Sequence, residues 1–90
     1  MVEKFPFSEK QVGGSTYERT FGQDLDDKDL KWHWDEEDRT VKPLHETDWQ
    51  FQFDNDLPIK IEDEIRIPKG VWHRLIKGTN DLKLSVTKHK

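Results

Sequence analysis

Four stretches of this chain alternate apolar and polar residues with a period of two, and that alternation constrains the fold more than any other feature. In DLKWHWD, residues 29–35, Leu30, Trp32 and Trp34 fall on one side while Lys31, His33 and Asp35 fall on the other. DWQFQFD sets Trp49, Phe51 and Phe53 against Gln50 and Gln52. IKIEDEIRI spaces Ile59 and Ile61, then Ile65 and Ile67, and LKLSV carries Leu82, Leu84 and Val86. Successive side chains of a strand point to opposite faces of its pleat, so a period of two marks a strand with one buried face. Between these runs lie FGQD, DEED, HETD, DNDLP, EDE, PKG and KGTND, rich in the residues that tolerate tight turns. Short strands at intervals of roughly 8 to 12 residues, with almost no helical period, predict an all-β sandwich or barrel. The stretch DLDDKDL at 24–30 predicts at most one acidic helical turn. Residues 1–14 read as a short N-terminal arm, punctuated by Val12, Gly13 and Gly14, with a single domain over 15–90.

Ninety residues bury only a modest core, which favours dense packing or a homodimer. Charged residues reach 38%, near the balance of disordered chains, but aromatics at 11% supply a core and argue for a folded domain. The chain has no cysteine, so any metal must be held by histidines and carboxylates. A net charge of −4 disfavours nucleic acid as a partner. The charge is uneven: residues 23–38 hold eight acids against two lysines, and residues 66–90 hold seven basic residues against one acid. These read as solvated faces of opposite sign. No apolar run approaches the ~18 residues of a membrane span. MVEKFPFSEK lacks the basic start and apolar middle of an export signal. A cytoplasmic protein is the expectation, with a small molecule rather than nucleic acid or membrane as its ligand.

Chemistry concentrates around EDEIRIPKGVWH, residues 62–73. Pro68 fixes one φ angle and Gly70 permits a positive one, so the turn between two strands is tightly determined and gives His73 a fixed direction. The spacing Pro68-x-Gly70-x-x-His73 resembles the second motif of the cupin barrels, G-x5-P-x-G-x2-H-x3-N. The likeness runs back to IEDEIRIP, with Asp63 in the motif's Asp position and Glu62 where the family has Gly, and it lapses at Lys77 in the Asn position. The resemblance implies a small cupin-type double-stranded β-helix, a jelly-roll-like barrel, with His73 facing its interior.

The first cupin motif, G-x5-H-x-H-x3,4-E-x6-G, can lie only in KWHWDEEDRTVKPLHE. In one register His33 takes the second His and Asp38 the Glu, with Lys31 replacing the first His and His45 the Gly. In the other, His33 takes the first His and Asp35 the second. Either way the resemblance implies two imidazoles and one carboxylate, drawn from His33, His73 and Asp35 or Asp38. That set suits non-haem Fe, and also Mn, Ni or Zn. Alternation puts His33 and Asp35 on one face, where they can converge on one ion. The order His33-x-Asp35…His73 also resembles the iron and 2-oxoglutarate oxygenases, whose core is the same kind of β-helix, although 90 residues leave little room for their co-substrate pocket.

Gln50 and Gln52, opposite the aromatic face, are candidates to line a polar pocket, and Arg39 and Arg74 can grip a carboxylate or phosphate or pair with the acidic turn. Trp49, Phe51 and Phe53 read as a packed inner face. Trp32 and Trp34 read as core packing or strand pairing, with a dimer interface as the alternative. His45 and His89 read as solvated. Two functions compete: a metal-binding barrel taking a small polar or acidic ligand at its mouth, and a metal-free binding or assembly module using Trp32 and Trp34 against a protein partner. One barrel hosts many functions, so fold cannot decide between them.

Overall fold

The computed structural model describes residues 7–89. Eight strands follow in chain order: β1 Phe7–Gly13, β2 Thr16–Phe21, β3 Asp38–Pro43, β4 Gln50–Phe53, β5 Ile59–Lys60, β6 Ile65–Ile67, β7 His73–Ile76 and β8 Leu82–His89. They form a five-stranded antiparallel sheet in the order β1-β2-β8-β3-β6 and a three-stranded one in the order β5-β4-β7. This is the all-β barrel that the alternation predicts, and the acidic stretch at 24–30 contributes only a 3-10 turn over Asp27–Asp29. Among the described residues no helix is long and apolar enough to cross a membrane.

Strand β8 organises the larger sheet because it pairs with β2 along one edge and β3 along the other. Its Leu82, Leu84 and Val86 are buried, while Lys83 faces solvent, so period two in sequence becomes inside and outside in space. From the opposite sheet Phe51 joins them in the core, together with Phe21, Leu30, Val41, Trp49, Ile61, Ile65 and Ile67. Trp49 is fully buried just before β4, and its indole N–H donates to the Asn80 carbonyl at 2.5 Å, which satisfies the ring's one polar atom. Beside it, the Thr79 N–H and hydroxyl donate to Asp48, holding that carboxyl below the usual carboxylate range. Gly78 runs against this corner: a Cβ there would lie 2.7 Å from Trp49 Cδ1 and 2.8 Å from Trp49 N.

Three expectations change. Extended structure begins at Phe7 rather than Ser15: β1 forms a hairpin with β2 across Gly14, whose φ of 49° is the left-handed turn conformation a glycine adopts readily, and residues 1–6 of the expected arm lie outside the described residues. DLKWHWD is not a strand; its backbone pairs with a strand only as an isolated bridge between His33 and His73. Leu30 alone of its apolar set is buried, while Trp32 and Trp34 stand 37% and 49% exposed, so they are not core residues. Ile59 is likewise exposed, because β5 is a two-residue edge strand.

Candidate metal centre

The turn before β7 is tied to the acidic segment before β3. Gly70 sits at φ 78°, in the left-handed region, and its N–H donates to the Asp35 carbonyl at 2.9 Å. One residue earlier the Lys69 N–H donates to Asp38 Oδ1 at 2.8 Å. A residue confined to negative φ could not direct that N–H the same way without strain, so the Pro68–Gly70 turn places Asp35 as well as His73. On the other side, His33 and His73 exchange both backbone hydrogen bonds, at 3.0 and 2.9 Å, as an antiparallel bridge. Residues forty positions apart thus become direct neighbours through two backbone bridges.

The side chains converge. One ligand atom each from His33, Asp35 and His73 lies within 4.8 Å of the others, and this is the group among the described residues that can hold a metal ion. His33 Nδ1 donates to the Lys31 carbonyl at 3.0 Å, and His73 Nδ1 donates to the Val71 carbonyl at 2.9 Å. Each carbonyl fixes the tautomer of its imidazole and leaves Nε2 with a free lone pair, the arrangement usual for metal-binding histidines. The two rings meet edge to face at 4.2 Å, and Phe51 stacks on His73 at 5.4 Å, which fixes the ring plane.

Asp35 is 7% exposed and His73 4%, whereas His33 stands at the exposed rim. Arg39 secures one Asp35 oxygen, with its guanidinium 3.2 Å from Oδ1, and itself leans on Glu37. The other oxygen, Oδ2, is buried with no hydrogen-bond partner and lies 3.4 Å from His73 Nε2. A buried carboxylate oxygen without a partner is costly, on the order of 1–3 kcal/mol. A protonated His73 would relieve it, yet burial opposes that charge and pushes the imidazole below its ordinary value; the Val71 carbonyl and Asp35 pull the other way, while His33 and Arg39 add to the opposition. A neutral imidazole, an oriented second imidazole and an unsatisfied carboxylate oxygen together fit a divalent cation.

Of the two carboxylates that the sequence leaves open, the structure brings Asp35 to the histidines and uses Asp38 to cap the turn at Lys69. Arg39 pairs with the acidic segment, one of the two roles anticipated for it. Gln50, Gln52 and Arg74 lie on the reverse face of β4 and β7, where Arg74 Nε donates to Gln52 Oε1 at 2.9 Å and the guanidinium covers Trp32 at 4.7 Å. None of these three lines the interior cavity of about 990 Å3 that opens on His33, Asp35 and His73. His45 and His89 are exposed and away from the site, bonded to the Glu46 carbonyl and the Thr40 hydroxyl. Lys77, in the motif's Asn position, reaches the Leu25 carbonyl at 2.7 Å. The stacking of Phe51 on His73 had no sequence signal beyond the buried alternation of β4.

No protein-family model matches the sequence, and no curated protein matches it. Solved structures do match the fold. A cupin domain from Bordetella pertussis Tohama I superposes with a TM-score of 0.61 at 13% identity, covering 100% of both chains. A cupin-2 domain containing protein from Shewanella frigidimarina gives 0.64 at 14% identity, covering 100% of this chain and 85% of the other. A DMSP lyase structure gives 0.70 at 16% identity over 83% of this chain, which spans only 37% of the lyase chain. FeII HppE gives 0.62 at 16% identity over 82% of this chain and 41% of that enzyme. The chain therefore has a cupin-like fold, an all-β barrel shared with domains of its own size and with parts of larger proteins. At such identities the likeness extends to fold alone.

Proposed function

We propose that this protein is a cupin-type metal-binding barrel in which His33, Asp35 and His73 hold one divalent cation, Fe, Mn, Ni or Zn, and a small polar or acidic molecule binds at the barrel mouth. The observation that carries this reading is the buried, unpartnered Asp35 Oδ2 beside two imidazoles whose Nδ1 atoms are already committed to backbone carbonyls. When bound, such an ion supplies Lewis-acid polarisation of a ligand or O2 chemistry. The chain's own residues do the rest. Arg39 holds Asp35 Oδ1 and leaves Oδ2 free, Phe51 fixes the His73 plane, and the apolar barrel wall excludes water from one side of the site. FeII HppE among the structural neighbours makes iron a natural first metal to try.

A second reading has its own support. Trp32, Trp34 and Trp72 are exposed, with Arg74 over the Trp32 ring, and a metal-free module would use such exposed aromatics, with Gln50 and Gln52, against a partner or a second copy of the chain. One experiment separates the two. Untagged protein supplemented with Fe, Mn, Ni and Zn is assayed for bound metal beside the His33→Ala, His73→Ala double variant. The metal reading expects close to one ion per chain in the wild type and none in the double variant. Equal metal in both, or none in either, removes it and leaves the aromatic module.

A further inference from the structure

The inner face of the larger sheet carries charge that the metal site does not use. The cavity is lined by four cations, Arg19, Lys31, Arg39 and Lys88, against three carboxylates, Glu9, Asp29 and Asp35. Two of these cations are matched at close range: Arg19 Nε lies 2.6 Å from Glu9 Oε1, and Arg39 is held by Asp35 and Glu37. Lys31 stands at the exposed rim. Lys88 differs from all of them. It shares the inward register of Leu84 and Val86 on β8, is half-buried, and has no anionic partner among the described residues. Its ammonium rests over the Tyr17 ring at 4.5 Å, which steadies it without neutralising it.

Lys88 also sits in an unfavourable place for a structural residue. It is the direct cross-strand partner of Arg39, so two like charges face each other on one inner surface. Such pairs destabilise a sheet. Arg39 in turn contacts Asp35, which puts Lys88 one side chain away from the candidate metal ligands. A chain of net charge −4 thus carries an unneutralised cation inside its cavity, next to the place where a divalent ion would add more positive charge.

We propose that Lys88 is an anion-binding residue, and that the ligand of this barrel is a small organic acid whose anionic group is held by Lys88, while a second oxygen function reaches the His33, Asp35 and His73 centre. The second half of this statement rests on the metal reading; the first does not. The head group is an anionic oxygen cluster, because an ammonium offers donors only and pairs best with a charged acceptor.

The test uses the full chain, metal-free and Zn(II)-loaded, with malonate as probe and malonamide as its uncharged counterpart, followed by backbone NMR shifts. Zn(II) binding is measured separately by calorimetry. Malonate, and not malonamide, is expected to bind the wild type and to shift resonances of Tyr17, Arg39 and Lys88. Lys88→Gln is expected to weaken malonate about ten- to hundredfold, as loss of a charge-assisted hydrogen bond does. Lys88→Arg should retain binding, Lys31→Gln at the rim should change it little, and the spectra of all three variants should report an intact fold. Absence of malonate binding at millimolar concentration, unchanged binding in Lys88→Gln, or an equal loss in Lys31→Gln and Lys88→Gln would each overturn the proposal. If Zn(II) does not bind but malonate still depends on Lys88, the metal reading fails and the anion site stands. Zn(II) binding together with malonate binding that does not depend on Lys88 is the reverse case: the metal reading stands and the anion site fails.

Discussion

Asp35 carries the most consequential unbalanced interaction at the residue scale. One of its oxygens is paired and the other is buried beside a histidine that its own surroundings hold neutral. The pH dependence follows from His73. Burial lowers its folded pKa below the ordinary 6.5, so the unfolded chain takes up a proton that the folded chain resists. The stabilising effect of a neutral His73 is therefore complete above about pH 6.5 and is lost as pH falls through the window below it. Urea unfolding of the metal-free protein, in chelator, should give stability that declines from pH 7.5 toward pH 5. A His73→Gln variant should lose most of that slope, and an identical slope in the variant would mean that other groups account for it.

At the scale of elements, the site depends on how turns fasten to strands. The turn Pro68-x-Gly70 was legible in sequence as a determined turn, and the Gly70 φ of 78° bears it out. Its second role, anchoring the Asp35 carbonyl, was not legible, because backbone hydrogen bonds between distant segments leave no mark on composition. The strands at 50–53, 65–67 and 82–89 were readable because alternation there coincides with burial. In DLKWHWD the same alternation misled. His33 and Asp35 do turn toward the site, and the tryptophans on the other side meet solvent instead of a second layer. The choice of Asp35 over Asp38 was also closed to the sequence, since both lie in one acidic run and only the Lys69 N–H distinguishes them. The corner at Gly78 offers a test of packing. Gly78→Ala would drive a methyl into Trp49 and Asp48, and destabilisation of about 1–3 kcal/mol is expected from overpacking a corner that is already closed. Thermal unfolding of the variant measures it, and a melting temperature equal to wild type would show that the corner yields.

At the scale of the whole molecule, one small barrel lines a single cavity with both core apolar side chains and charged ones. Leu82, Leu84 and Val86 on β8 lead directly to Lys88, so a single strand passes from core to candidate ligand site. The fold class was accessible because period-two alternation recurs along the chain with turn residues between the runs. The candidate site was less accessible, since its three side chains are drawn from two segments that only the fold brings together. Anomalous diffraction from crystals grown with Fe(II) or Zn(II), collected at the metal's absorption edge, tests the central claim most directly. One peak at roughly 2.0–2.2 Å from the Nε2 atoms of His33 and His73 and from Asp35 Oδ2 is the predicted result. A peak elsewhere on the surface, or none at saturating metal, would contradict it.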